Sequence, residues 1–159
     1  MNHFENSKIL APYDFSKFSL EAVETAMKIA GKNENVTVLH VVDPVPLYGY
    51  SGDTGLGMAG GADWGLPEIG LAAQIDDDHV HRALKTMQAE FNNARHQGLN
   101  YDTVVNDPTH GITEYAEQNA FDLIVLPSHG RTGVTRLLIG STAERVVRFA
   151  HCPVLVLRS

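Results

Sequence analysis

The chain has 159 residues, of which 43% are hydrophobic and 19% charged, with a formal net charge of −7 at pH 7. This length and composition exclude a disordered chain and predict one domain, residues 1–159, that folds without disulfides or metal ions. The negative charge argues against a protein that coats nucleic acid or an anionic membrane. It does not exclude a small anionic ligand held by local backbone N–H groups.

The cellular compartment is predicted from three features. The N-terminus lacks the basic start and apolar core of a signal peptide. No window approaches the ~18 apolar residues that span a bilayer, so we expect no membrane insertion. Cys152 is the only cysteine, which excludes an internal disulfide, and its neighbours predict a small buried hydrophobe. We therefore expect a cytoplasmic protein.

Apolar and β-branched runs alternate along the chain with segments of helical periodicity. Strands are predicted at 8–12, 35–42, 101–105, 121–126 and 153–157. Helices are predicted at 16–31, from the acids 76–78 to Gly98, at 109–119 and at 142–150. This alternation is typical of an α/β fold with an open parallel sheet, helices on both faces and right-handed crossovers.

A Gly- and Pro-rich segment at about 44–75 interrupts this order and is too long for an ordinary connection. It is either a functional lid or a mobile, partner-facing excursion, and we favour the second. The acids 76–78 are predicted to complement a helix N-terminus. Consecutive side chains do not converge on one helical face, which argues against a metal site there. His79 and His81 are interpreted as solvated for the same reason.

Three strand exits carry unusual residues. They are Ala11–Ser16, Val41–Pro44 and Pro127–Gly133. Ligands of open parallel sheets bind beyond the carboxyl ends of the strands, where strand order reverses. If strands one and four are neighbours, the three exits form one cleft, with Asp14 and Asp43 as its obvious acids. The chain contains no P-loop, no G-x-G-x-x-G after strand one and no G-x-S-x-G.

The stretch "SHGRTGVTRLLIGSTAERV", residues 128–146, resembles a phosphate cradle. Ser141 and Glu144 match the capping-box spacing S-x-x-E, which predicts Ser141 as a helix N-cap. The N–H groups after it would face outward and attract phosphate, while Gly130 would allow close approach. Arg131 and Arg136 would add positive charge. A capped helix without a ligand explains the same pattern.

The residues as a whole resemble a universal stress protein domain. The resemblance rests on "KILAPYDFS", "VTVLHVVDP" and the C-terminal third that begins "DLIVLPSHGRTG". It implies the strand order 3-2-1-4-5 and a homodimer, which we place at residues 153–157. ATP-binding members carry G-x2-G-x9-G-[ST]. This chain matches the later part, with Pro127 at the first glycine position, where proline removes an N–H donor.

The resemblance also implies the ligand contacts. Asp14 would face ribose or adenine, with Pro12 beside it, and the Val41 backbone would read the adenine edge. The phosphates would be held by Gly130, Gly140, Ser141 and Thr142. His129 is interpreted as a loop or ligand-contact residue rather than a general base. The implied cofactor is ATP, with or without magnesium.

The sequence is compatible with three alternative functions. The first is a cytoplasmic stress-response protein that binds adenine nucleotide and acts as a regulatory module. The second is a slow ATPase or an autophosphorylating protein, with Ser141 as the acceptor, although phosphoryl transfer needs metal-holding carboxylates and a positioned nucleophile. The third is a dimer with an empty cleft that acts through protein partners.

Overall fold

A computed structural model describes residue 4 and residues 6–44, 69–130 and 139–158. Within these residues the elements are β1 (Ile9–Pro12), α1 (Lys17–Ala30), β2 (Val36–Val42), α2 (Ile69–Glu90), β3 (Asn100–Val105), α3 (Pro108–Gln118), β4 (Leu123–Pro127), α4 (Ser141–Phe149) and β5 (Val154–Leu157). The strands form one parallel sheet in the order β3-β2-β1-β4-β5. This arrangement confirms the predicted α/β fold and strand order.

The core lies on both faces of the sheet. Successive side chains of a strand point to opposite faces, so each buried strand contributes to two apolar clusters. On one face Ile9 and Val38 pack with apolar residues of α1 and α2. On the other face Leu10 and Leu39 pack with apolar residues of α3 and α4. The helices therefore cover both faces of the sheet, and a ligand can approach the sheet at the carboxyl ends of its strands.

The predicted bounds of α1 agree closely with the structure. The Ser16 side chain accepts a hydrogen bond from the Ser19 N–H at 3.1 Å and caps the N-terminus. Gly31 closes the helix in the left-handed conformation, with φ of 73°.

The predicted bounds of α2 were wrong at both ends. The helix begins at Ile69, because the apolar run before the acids is itself compatible with a helix, and it ends at Glu90. Residues 76–78 therefore lie inside the helix and do not complement its N-terminal dipole. His81 is exposed, as predicted, whereas His79 is half-buried.

The predicted insertion at 44–75 is shorter in the structure, because residues 69–75 already belong to α2. Residues 45–68 lie outside the described part of the chain. In the described part, none of the helices has the length and apolar character needed to cross a membrane.

Cys152 is half-buried and packs against the cluster beneath α3 and α4. Burial, with a smaller contribution from the negative charge of Asp122, raises the pKa of its thiol. Because the thiolate is the reactive form, this environment favours a packing role over a reactive one.

Candidate ligand-binding site

A cavity of about 320 Å³ opens at the carboxyl edge of the sheet, between β1 and β4. The paired register of these strands stops at Leu10 and Ile124. β1 nevertheless continues to Pro12, and β4 continues to Pro127. Past this point β1 pairs only with β2 and β4 only with β5. The two strands therefore part where strand order reverses, which is the position expected for a ligand.

Eight of the nine candidate site residues line this cavity. They are Pro12, Asp14, Val41, Pro127, Gly130, Gly140, Ser141 and Thr142. The exception is His129, whose Nδ1 lies 3.0 Å from the Ser128 Oγ. Its Nε2 is buried and has no hydrogen-bond partner among the described residues. Asp43, expected as a cleft acid, is not among the lining residues.

The sequence did not identify about half of the residues that line the cavity. The further lining residues are Tyr13, Ser19, Leu39, His40, Pro108, Ile112, Leu126, Ser128 and Ala143. Tyr13, His40 and Ser128 directly neighbour predicted positions at the strand exits, so adjacency was a usable signal. Pro108 and Ile112 belong to the first turns of α3, which carries no recognisable ligand motif.

The N-cap of α4 is Gly140 rather than Ser141. Gly140 is extended, with φ of −63° and ψ of 151°, and its carbonyl accepts from the Glu144 N–H at 2.9 Å. Ser141 is already helical and therefore cannot be the cap. Glu144 pairs with Arg148 at 2.9 Å, one turn further along, instead of closing a capping box. The S-x-x-E pattern was misleading because the preceding glycine adopts the cap conformation.

This start leaves α4 without a side-chain cap. The first N–H groups of a helix have no partner within the helix, and the helix dipole adds partial positive charge at the same place. Ser141 and Thr142, which begin α4, line the cavity. The helix end therefore offers hydrogen-bond donors to a bound anion.

Two glycines bring backbone segments close together around the cavity. A Cβ at Gly140 would lie 3.0 Å from the Ser128 carbonyl oxygen, to which the Gly140 N–H donates at 2.7 Å. A Cβ at Gly130 would lie 2.8 Å from the Asp14 Oδ2. At Gly140 the close atom belongs to the backbone, so a side chain there would push the glycine loop away from α4. At Gly130 the close atom is the end of the Asp14 side chain, which a side chain there would displace from its position at the cavity.

Pro127 fits the sheet without breaking a ladder bond. The N–H groups of Ile124 and Ser128 donate toward β5 at 3.0 and 2.8 Å. Alternate residues of a strand face opposite neighbours, so the nitrogen of Pro127 faces β1. The register with β1 has already ended at Leu10. Proline therefore removes only a donor that would have faced the cavity side.

The charges around the site come from several elements. Asp107 caps α3, and its Oδ2 lies 3.7 Å from a guanidinium nitrogen of Arg145 in α4. Arg131 and Arg136, predicted to add positive charge, lie outside the described residues. In the described part of the chain, no three His, Cys, Asp or Glu side chains group so as to hold a metal ion.

Comparison with known proteins is consistent with this geometry. The model of the universal stress protein family matches residues 5–158. Universal stress protein MJ0531 of Methanocaldococcus jannaschii is 34% identical over 152 residues, which cover 95% of this chain and 81% of that protein.

Solved structures give the same result for the fold. Universal stress protein UspA of Lactobacillus plantarum has a TM-score of 0.70 and 27% identity, covering 97% of this chain and 99% of that one. A universal stress protein in complex with cAMP has a TM-score of 0.62, with 96% and 98% coverage. At 20% identity, this second likeness concerns the fold alone.

Proposed function

This chain belongs to the universal stress protein family, and we propose that it binds an adenine nucleotide, with ATP as the first candidate, in the cavity between β1 and β4. The observation that carries the proposal is the uncapped N-terminus of α4, whose residues Ser141 and Thr142 line that cavity. A phosphate group supplies the acceptors that such a helix end lacks.

We expect the base, the ribose and the phosphates of the nucleotide to contact different residues along the cavity. Its volume of about 320 Å³ lies at the lower end of the range for ligand pockets, about 300–1,000 Å³. Adenine would lie against the apolar wall near Pro12 and Val41, and ribose would lie near Asp14. The phosphates would meet Gly130 and the residues at the start of α4.

Further observations bear on which ligand is bound and how its phosphates are held. A relative in complex with cAMP makes the cyclic nucleotide a useful probe beside ATP. We expect magnesium to arrive on the phosphates, because the described residues include no cluster that would hold a metal ion. Pro127 offers no amide to the ligand, so we expect the phosphates to depend on α4 and Gly130 for their donors.

The biological role in this proposal is that of a cytoplasmic, nucleotide-dependent regulatory module in a stress response. Residues 1–159 act as one domain, supported by the family match across residues 5–158. A single cysteine, half-buried with its thiol pKa raised, is compatible with a reducing compartment.

A second candidate, slow autophosphorylation, is favoured by one contact. The Ser128 Oγ lies 3.0 Å from the His129 Nδ1, so a hydroxyl nucleophile has a base within reach. The terminal phosphoryl group of ATP would pass to this oxygen, ADP would leave, and the hydroxyl proton would move to His129. Intact-protein mass after incubation with ATP tests this candidate. A gain of one phosphoryl group that is lost in Ser128→Ala and kept in Ser141→Ala supports it.

The homodimer is proposed at the β5 edge of the sheet, around residues 153–157. Leu155 is 37% exposed there, whereas Val156 packs against the core cluster under α3 and α4. A charge at Val156 would therefore also disturb the core, and Leu155→Glu is the sharper probe. We expect Leu155→Glu to convert a dimer into a folded monomer by light scattering. An unchanged dimer mass would contradict this interface.

The nucleotide proposal is tested by calorimetric titration. The protein is unfolded and refolded to remove carried-over nucleotide, then titrated with ATP and Mg²⁺. We expect micromolar binding of ATP and much weaker binding of GTP. Absence of binding to ATP, AMP and cAMP would contradict the proposal and favour an empty cleft.

A further inference from the structure

The turn between β1 and α1 holds a residue in an unfavourable backbone conformation. Phe15 has φ of 65°, in the left-handed region that residues with a Cβ avoid. Such conformations persist only where the surrounding structure enforces them, and they cluster at functional sites. The residue immediately before it, Asp14, lines the cavity.

Three side chains pack together at this turn, and we call Tyr13, Phe15 and His40 the β1–β2 latch. The Phe15 ring packs against the rings of Tyr13 and His40, with centroids 5.1 and 4.8 Å apart. The His40 Nδ1 lies 2.8 Å from the Tyr13 carbonyl oxygen. Because a carbonyl oxygen only accepts, Nδ1 carries the hydrogen and donates it. The latch thus fastens the end of β1 to β2.

The latch holds Tyr13 and Phe15, the residues on either side of Asp14, and further contacts place the Asp14 carboxylate itself. One carboxylate oxygen accepts from the Ser16 N–H at 3.0 Å, which ties Asp14 to the start of α1. The other oxygen lies 2.8 Å from the position of a Cβ on Gly130, on the side of the glycine loop. The Asp14 carboxylate is therefore held between the start of α1 and Gly130, at the wall of the cavity.

We propose that His40 is a positioning residue that, through the β1–β2 latch, directs the Asp14 carboxylate toward the hydroxyl groups of a bound ribose. This inference rests on the nucleotide-binding function proposed above. An ionised carboxylate only accepts hydrogen bonds, and the ribose hydroxyls are the donors that lie between base and phosphates. His40 is thereby a determinant of selectivity for ribonucleotides.

The test compares the affinities of ATP and 2′,3′-dideoxy-ATP by calorimetry. In His40→Leu, which removes the donor to Tyr13, we expect ATP affinity to fall about tenfold, the size expected for a hydrogen bond with a charged acceptor. The affinity of dideoxy-ATP should stay within about twofold, since that ligand offers no hydroxyl to Asp14. Asp14→Asn should lower the same ratio, and the double variant should lose no more than either single variant.

Two further variants separate positioning from general damage. His40→Asn places an amide donor near the position of Nδ1 and should restore most of the preference for ATP. His81→Leu removes an exposed histidine on α2 and should change neither affinity.

Equal losses for both nucleotides in His40→Leu, or an unchanged ratio, would overturn this inference while leaving nucleotide binding intact. A wild-type protein that binds neither nucleotide would instead overturn the proposed function.

Discussion

Helices α3 and α4 both start beside the cavity, but their N-termini are completed differently. Asp107 caps α3 and accepts hydrogen bonds from the N–H groups of Thr109 and His110 at 3.0 and 3.1 Å. Gly140, the N-cap of α4, offers no side-chain acceptor. Pro108 and Ser141, the first residues of the two helices, both line the cavity.

The two helix N-termini therefore contribute differently to the stability of the fold and to the binding of a ligand. A carboxylate cap uses the free amides inside the protein and places negative charge at the helix end, which disfavours an anion. An uncapped end costs some stability and leaves its donors available to a ligand. The cavity therefore has one helix start that supports the fold and another that can serve a phosphate.

The largest effect is expected when α4 is given the same kind of cap as α3. In Gly140→Asp, the carboxylate would fill the close contact with Ser128 and repel phosphate. We expect ATP affinity to fall about 100-fold or more by calorimetry. Ala120→Asp is the matched control, since it adds the same charge at an exposed turn with φ of 51°, a conformation that Asp tolerates. Equal weakening by both variants would show that net charge, rather than the helix end, governs binding.

The reverse change removes the cap of α3. Asp107→Ala should lower the free energy of unfolding by about 1 kcal/mol, as measured by urea denaturation, because two amides lose their acceptor. ATP affinity should not fall, because an anionic group near the cavity has been removed. A loss of affinity without a loss of stability would contradict the division of roles between the two helices.

A smaller effect is expected at Glu144. Its partner in the structure is Arg148, in an exposed pair one turn apart. Glu144→Ala should therefore cost no more than about 0.5 kcal/mol in urea denaturation. A cost well above that, with wild-type helix content, would indicate that Glu144 closes a capping box after all.

Sequence reasoning predicted the fold better than the details of the site. The alternation of strands and helices and the family resemblance led to the sheet order that the structure shows. Eight of the nine candidate residues line one cavity, because the carboxyl ends of β1, β2 and β4 meet the start of α4 at one edge of the sheet. These features depend on local patterns and on topology, which a sequence carries directly.

The errors arose where tertiary context decides between local alternatives. Gly140 and Ser141 are both acceptable caps by composition, and the choice depends on how Gly140 packs against Ser128. The start of α2 was misplaced because a Gly- and Pro-rich neighbourhood hid the helical run before Asp76.

Binding of the nucleotide as proposed requires the free amides at the start of α4 to be the donors for the ligand. Amide chemical shifts, followed by NMR while ATP is added to ¹⁵N-labelled protein, report on these donors directly. We expect large, saturable shifts for Ser141 and Thr142, and small shifts for Thr109 and His110 at the capped start of α3. Saturable binding of ATP with α4 unperturbed, or with both helix starts perturbed alike, would contradict this expectation.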